Sequence, residues 1–167
     1  MKKKPLVGIL IGSESDMPVM EKTAEVLKEM AVPYEMEISS AHRLREKTAQ
    51  YAKTARERGV EVLIAGAGMA AHLAGALASH TTLPVIGVPI KSGALNGADA
   101  LYSTVQMPPG VPVATVGIDG AKNAAYLACE ILSIKYPEMA KKLEDFRSRM
   151  RKSLEEKSKA IKKGKSG

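Results

Sequence analysis

The chain has 167 residues, 45% of them hydrophobic, enough for one domain with a real core, and its single cysteine, Cys129, excludes an internal disulfide. No apolar run approaches the roughly 18 residues that span a bilayer, because Gly, Pro or charge interrupts every one. The net charge of +7 lies wholly in residues 141–167, where 11 Lys/Arg face 4 Asp/Glu; with no Trp and one Phe to stack bases, this tail reads as a solvated helix face and not as a nucleic-acid site.

Leu6 to Ile11 is a continuous apolar run ending at Gly12, the pattern of a strand buried on both faces. The basic Met1-Lys2-Lys3-Lys4-Pro5 before it leads into that short strand, not into the long apolar stretch of a signal peptide. A cytoplasmic location and no membrane partner are therefore the expectation. Gly12-Ser13-Glu14-Ser15-Asp16 follows as a tight polar loop. Asp16 is expected to cap a helix with Pro18 in its first turn, which turns Met20, Ala24, Val26 and Leu27 inward and ends near Ala31.

Pro33 to Ile38 is the second strand, and Leu44 to Arg58 a charged surface helix stopped by Gly59. Val60 to Ala65 is the third strand; Gly66-Ala67-Gly68 opens its loop, and a small-residue helix is predicted from Met69 to about Ser79. Pro84 to Val88 is the fourth strand, Pro89 to Asn96 a loop and Gly97 to Gln106 a helix. Val111 to Val116 is the fifth strand and Ala121 to Lys135 an apolar helix. Pro137 opens an amphipathic helix that should fade in the early 150s.

Strands alternating with helices at this spacing give parallel βαβ units. The expected fold is an α/β flavodoxin-like three-layer sandwich with a five-stranded parallel sheet in the order 2-1-3-4-5. Residues 1–136 would form the mononucleotide-binding domain, and 137–167 a C-terminal helix and basic tail packing on a neighbouring subunit. In that order the crevice opens beyond strands one and three, with the strand-two loop beside it.

Those three loops hold the candidate chemistry. Ser39-Ser40-Ala41-His42-Arg43 places two hydroxyls, an imidazole and a guanidinium at one strand end. His42 is the only side chain there that exchanges a proton near neutral pH. Arg43 offers a fork for phosphate or carboxylate, unless it simply pairs with Glu46. Ser13, Ser15 and Asp16 suit an anion and a sugar, the alternative being that Ser13 and Asp16 only cap the helix. Gly66-Ala67-Gly68-Met69-Ala70-Ala71-His72 is too alanine-rich, and has no acidic residue ending the next strand, for a dinucleotide fingerprint. It suits a backbone loop around a small ligand. His72 is equally a structural or a supporting residue, and His80 sits at a helix end near terminal carbonyls. Three scattered histidines and one cysteine give no metal-ligand spacing. What remains is a metal-free pocket for a small phosphorylated ligand with one proton-moving histidine.

Six stretches in order now carry a resemblance: Gly12-Ser13-Glu14-Ser15-Asp16, Ser40-Ala41-His42-Arg43, Ala65-Gly66-Ala67-Gly68, Ala70-Ala71-His72-Leu73, Leu83-Pro84-Val85-Ile86-Gly87-Val88-Pro89 and Val105-Gln106-Met107-Pro108. Over roughly residues 6 to 135 the chain resembles the N5-carboxyaminoimidazole ribonucleotide mutases of purine biosynthesis, isomerases once called the catalytic subunit of phosphoribosylaminoimidazole carboxylase. The resemblance implies transfer of a carboxylate from the exocyclic nitrogen to ring carbon C4, by decarboxylation and recarboxylation, with no metal and no cofactor. It implies His42 as the catalytic residue and Ser13, Ser15, Asp16, Ser40, Ala41 and Arg43 as binding residues. Gly68, His72 and Leu73 would belong to a loop closing over carboxylate and base. It also implies a homo-octamer whose C-terminal helices reach across subunits, with the ATP-dependent carboxylating enzyme that makes the substrate as a candidate partner.

The chain departs from the family's usual pattern at Leu44 and Arg45 (usually Thr-Pro), Met69 (Gly), Ala74 (Pro) and Ala100 (Ser). Met69 is expected to narrow the base pocket. Two rivals stand beside the mutase: a carboxylase using free CO2, which typically has Lys after the histidine and lacks the Gly66–Leu73 loop, and a non-catalytic nucleotide sensor. A carboxylase of another heteroaromatic nucleotide is suggested only by Leu44, Arg45 and Met69.

Overall fold

Five parallel strands, β1 Val7–Ile11, β2 Tyr34–Ile38, β3 Val62–Gly68, β4 Val85–Ile90 and β5 Ala114–Thr115, form one sheet in the order β2-β1-β3-β4-β5. The structure is a computed structural model that describes residues 4–164. The basic lead at Met1–Lys3 and the last residues of the tail, 165–167, lie outside the described residues. Between the strands run α1 Met17–Glu29, α2 Arg45–Arg58, α3 Leu73–Ala78, α4 Ala98–Val105 and α5 Ala121–Ser133, and α6 Pro137–Gly164 closes the chain.

The central strands are apolar on both faces because both are covered, and alternate side chains feed two separate cores. Ile9, Ile11, Val62, Ile64, Ile86 and Val88 point to the face where α1 and α5 bring Met20, Leu27, Ala125 and Leu132. Leu10, Leu63, Ala65 and Val85 point to the opposite face, against Tyr51, Ala55, Leu73 and Leu77 of α2 and α3. The expected inward set of α1, Met20, Ala24, Val26 and Leu27, is buried. Gly59 ends α2 with φ +99°, a backbone that L side chains resist.

Several boundaries differ from the sequence expectation; β4 runs on to Ile90, two residues into the expected loop, and the larger shifts have local reasons. β3 does not stop at Ala65: its ladder with β4 continues through Gly68, opposite Ile90. Met69 to His72 is not helix, because Met69 takes a left-handed φ of +54° and α3 starts only at Leu73. β5 is two residues long rather than six; Pro112 has no N–H to give a ladder. Helix α6 does not fade in the early 150s but runs to Gly164. Its tail is rich in Lys, a good helix former, with Glu155 and Lys159 four residues apart.

Helix α6 is divided in its environment. Met139 and Leu143 are buried in the α1/α5 core, and Phe146 stacks on Tyr126 with ring centroids 4.5 Å apart. Every residue from Arg149 to Lys162 is exposed. Among the described residues no helix is long and apolar enough to cross a membrane.

Candidate active site

The order β2-β1-β3 puts the carboxyl ends of three strands side by side, and their loops enclose a cleft of about 550 Å³. Its floor is tied to the sheet: Gly12 N–H donates to Gly66 O at 2.9 Å and Ser39 N–H to Ile11 O at 2.8 Å.

After β1, Glu14–Asp16 forms a single 3-10 turn that leads into α1. The Asp16 side chain does not cap α1 as expected. It is held from behind, where Ser13 Oγ donates to Asp16 Oδ2 at 3.0 Å. Ser13 has one proton and it is used there, so at the 2.7 Å contact Ser15 Oγ donates to Ser13 Oγ. All three side chains line the cleft. Burial pushes the Asp16 carboxyl above the usual range, and bonds from the Ser13 hydroxyl and backbone pull it part of the way back.

This shift bears on stability. The folded state raises the Asp16 pKa from 3.8, so its stabilising contribution is full below that value and is lost as pH rises through the folded value. Asp16→Asn should therefore unfold at a higher temperature than the wild type at neutral pH. The gain should disappear below about pH 4, where both side chains are neutral. Melting curves at pH 3.5 and 7 check this; a constant difference would refute the charge as its cause.

After β2 the loop is stapled to α2. Ser39 and Thr48, both buried, meet through their hydroxyls at 2.7 Å; Thr48 Oγ1 also donates to Leu44 O at 3.0 Å, so Ser39 donates to Thr48. Ser40 Oγ accepts from Arg43 N–H at 3.3 Å and from Arg43 Nε at 3.4 Å. No ion pair joins Arg43 to Glu46 among the described residues, so that alternative drops out. The Nη groups of Arg43 remain available at the cleft wall with Ala41 and His42.

After β3 the chain turns at Gly68 and Met69 and brings His72 across to His42. His42 Nε2 and His72 Nδ1 lie 2.8 Å apart, with the rings edge-on at 81°. One nitrogen donates and the other accepts, so a single proton sits in this contact. Both rings are exposed at the mouth of the cleft, while Leu73 is buried behind them. The cleft thus gathers Ser13, Ser15, Asp16, Ser40, Ala41, His42, Arg43, Gly68, His72 and Leu73. His80 lies elsewhere, with its backbone N–H on Leu77 O at the end of α3.

Gly12, Ala67 and Ala70, from the stretches already singled out, also line the cleft; Ser92, which lines it too, was missed by sequence reasoning. Ser92 lies two residues beyond β4, so the rule that strand ends face the crevice pointed to it. Of the five departures from the family pattern only Met69 reaches the cleft; Ala74 and Ala100 are buried, and Leu44 and Arg45 are exposed outside it. Among the described residues no group of three or more His, Cys, Asp or Glu is placed to share a metal ion.

Comparison with known proteins extends this geometry. Residues 6–153 match the AIR carboxylase family. The N5-carboxyaminoimidazole ribonucleotide mutase of Pyrococcus abyssi is 65% identical over 148 residues, 89% of this chain and 85% of the relative. That of Thermotoga maritima is 57% identical over 157 residues, 94% of this chain and 92% of the relative. The crystal structure of Treponema denticola PurE superposes with a TM-score of 0.81 at 34% identity, covering 93% of this chain and 98% of that one. The family match begins at the foot of β1, takes in all four strand-end loops of the cleft and ends inside α6, so the chain belongs to the AIR carboxylase family.

Proposed function

We infer that this chain converts N5-carboxyaminoimidazole ribonucleotide to 4-carboxy-5-aminoimidazole ribonucleotide, an isomerase step of purine biosynthesis. The observation that carries the reading is the identity of well over half, across nearly the whole chain, to mutases of that name. The cleft supplies what such chemistry needs. An N-carboxylate loses CO2 as its nitrogen takes up a proton; carboxylation at C4 then releases one, so the proton count closes to zero. One group that gives and then takes a proton suffices. His42, at the mouth of the cleft, is that group in our reading. The difficulty is to keep CO2 and the aminoimidazole together and dry while the bond changes place.

Ser13, Ser15, Ser40 and Arg43 suit the phosphate, Asp16 the ribose hydroxyls, and the backbone from Gly68 to Leu73, with Ala41 opposite, the carboxylate and base. His72, through its bond to His42, sets the ring's orientation. The exposed second half of α6, with Met150, Leu154 and Ile161 among its exposed apolar side chains, suits packing on another copy, in keeping with an octamer. A cytoplasmic location, and a substrate supplied by an ATP-dependent carboxylating enzyme, go with this reading.

The test is to feed purified protein each nucleotide separately. Turnover of N5-carboxyaminoimidazole ribonucleotide without added bicarbonate, faster than that of aminoimidazole ribonucleotide with it, is the expected result. The reverse preference would assign the chain to the carboxylases that use free CO2.

A further inference from the structure

We infer that Ser92 is a positioning residue of this reaction: its hydroxyl holds the Gly68–Met69 turn shut against the cleft, and so governs whether CO2 stays inside. The inference rests on the mutase reading and adds a residue and a role to it.

Three observations converge on the turn. Met69 N–H donates to Ser92 Oγ at 3.1 Å, across 23 positions of sequence. Met69 has φ +54°, a left-handed backbone that costs any side chain other than Gly's, and it is 61% exposed, so packing contributes little to keeping it there. Gly68 is pressed so close to Ser92 that an added Cβ would lie 2.3 Å from the same Oγ. The hydroxyl is thus a tether for a residue whose own preference is to leave, and the absence of a side chain on Gly68 lets the tether reach.

What hangs on the turn is the wall of the site. Ala71 N–H bonds back to Met69 O at 2.9 Å and His72 N–H to Ala70 O at 2.8 Å, so the four residues move as a unit. His72 at its end meets His42. If Met69 relaxes to negative φ, this unit swings away from the cleft and water enters beside the reacting carbon. Decarboxylation still proceeds there, since it needs only a proton on nitrogen. Recapture of that CO2 at C4 fails, because it has diffused out, and the carbon that then adds at C4 comes from CO2 dissolved in the medium. Loss of the tether should therefore uncouple the two half-reactions rather than stop the first.

The experiment runs N5-carboxyaminoimidazole ribonucleotide in 13C-bicarbonate, with an enzyme-free control, and reads the fraction of 4-carboxylated product that carries label. Ser92→Ala should raise that fraction by about tenfold, in line with releasing a left-handed residue into loop opening. Gly68→Ala, which drives a methyl into the same hydroxyl, should leak likewise and serves if Ser92→Ala does not fold. In the double variant Ser92→Ala/Met69→Gly, coupling should return, because Gly adopts positive φ without a tether. An unchanged label fraction in Ser92→Ala, or a leak that Met69→Gly does not reverse, would overturn the inference. A wild type that makes no 4-carboxylated product would sink the mutase reading instead.

Discussion

His42→Asn is expected to lower kcat by about a thousandfold while leaving nucleotide affinity within a few-fold of wild type, since a positioned general acid–base contributes typically 10²–10⁴. The substitution keeps a polar group in the cleft, but the Asn amide is shorter: its terminal atoms fall where the imidazole Nδ1 stood, short of the Nε2 that meets His72 Nδ1, so the contact with His72 goes too. What it removes besides is the capacity to give up and regain a proton at neutral pH, which no amide has. Ser13, Ser15, Ser40 and Arg43, the groups proposed for the phosphate, come from other positions on the same rim and are untouched. Turnover measured by product formation and affinity measured by calorimetry with the 4-carboxylated product separate the two effects. His72→Ala is the internal comparison. It removes the same ring–ring contact and leaves the His42 imidazole in place, so its loss in kcat should stay below about tenfold, the size of one net hydrogen bond. If His72→Ala proved as damaging as His42→Asn, proton transfer would belong to the pair and not to His42. Full activity in His42→Asn would take the proton-moving role away from His42, whereas nucleotide binding with no turnover in the wild type would return the chain to the nucleotide-sensor reading.

The parts of the molecule that the sequence foretold are those whose causes are local. Continuous apolar runs named β1 and the body of β3 because both faces of those strands are covered, and their alternation between two cores makes every position apolar. His42 was legible because a polar cluster containing an imidazole stood directly after a strand, where parallel sheets open their crevices. The errors have non-local causes. Gly66-Ala67-Gly68 looks like a loop in isolation, yet it is ladder, since the neighbouring strand runs on to Ile90 and supplies the partners. The start of α3 was misplaced because nothing in the sequence announces a left-handed Met69; that conformation depends on a hydroxyl 23 residues away. The His42–His72 contact spans 30 residues and exists only once β2 and β3 flank β1. Ser92 had a positional signal, two residues beyond β4, but its role stayed hidden for the same reason: a serine in a loop says nothing of what it restrains until the Met69 turn is seen beside it.

Arg43→Ala is expected to raise KM by about 10- to 150-fold with little change in kcat, the range that corresponds to about 1.5–3 kcal/mol for a hydrogen bond to a charged group. Charge is the reason. The substrate brings a phosphate and a carboxylate, both anionic, into a cleft whose described lining has one permanently cationic side chain, Arg43, and one carboxylate, Asp16. Backbone N–H groups and the Ser40 hydroxyl can hydrogen-bond a phosphate, as can Ser13 and Ser15 once their protons turn away from Asp16 and from Ser13, but none of them can neutralise it. Arg43 is also pre-positioned to meet an anion. Its Nε and backbone N–H are fixed on Ser40 Oγ, which aims the two Nη groups without spending them on a carboxylate of the protein. Arg43→Lys should recover only part of the affinity, because an ammonium brings charge without the planar fork and cannot reproduce the anchoring through Nε. A second readout separates charge from shape. Wild-type KM should rise with ionic strength, and the Arg43→Ala slope should be shallower, since screening acts on the interaction that the variant lacks. If KM in Arg43→Ala equals that of the wild type at low salt, the phosphate is held elsewhere, and the guanidinium serves only to brace the Ser40 turn.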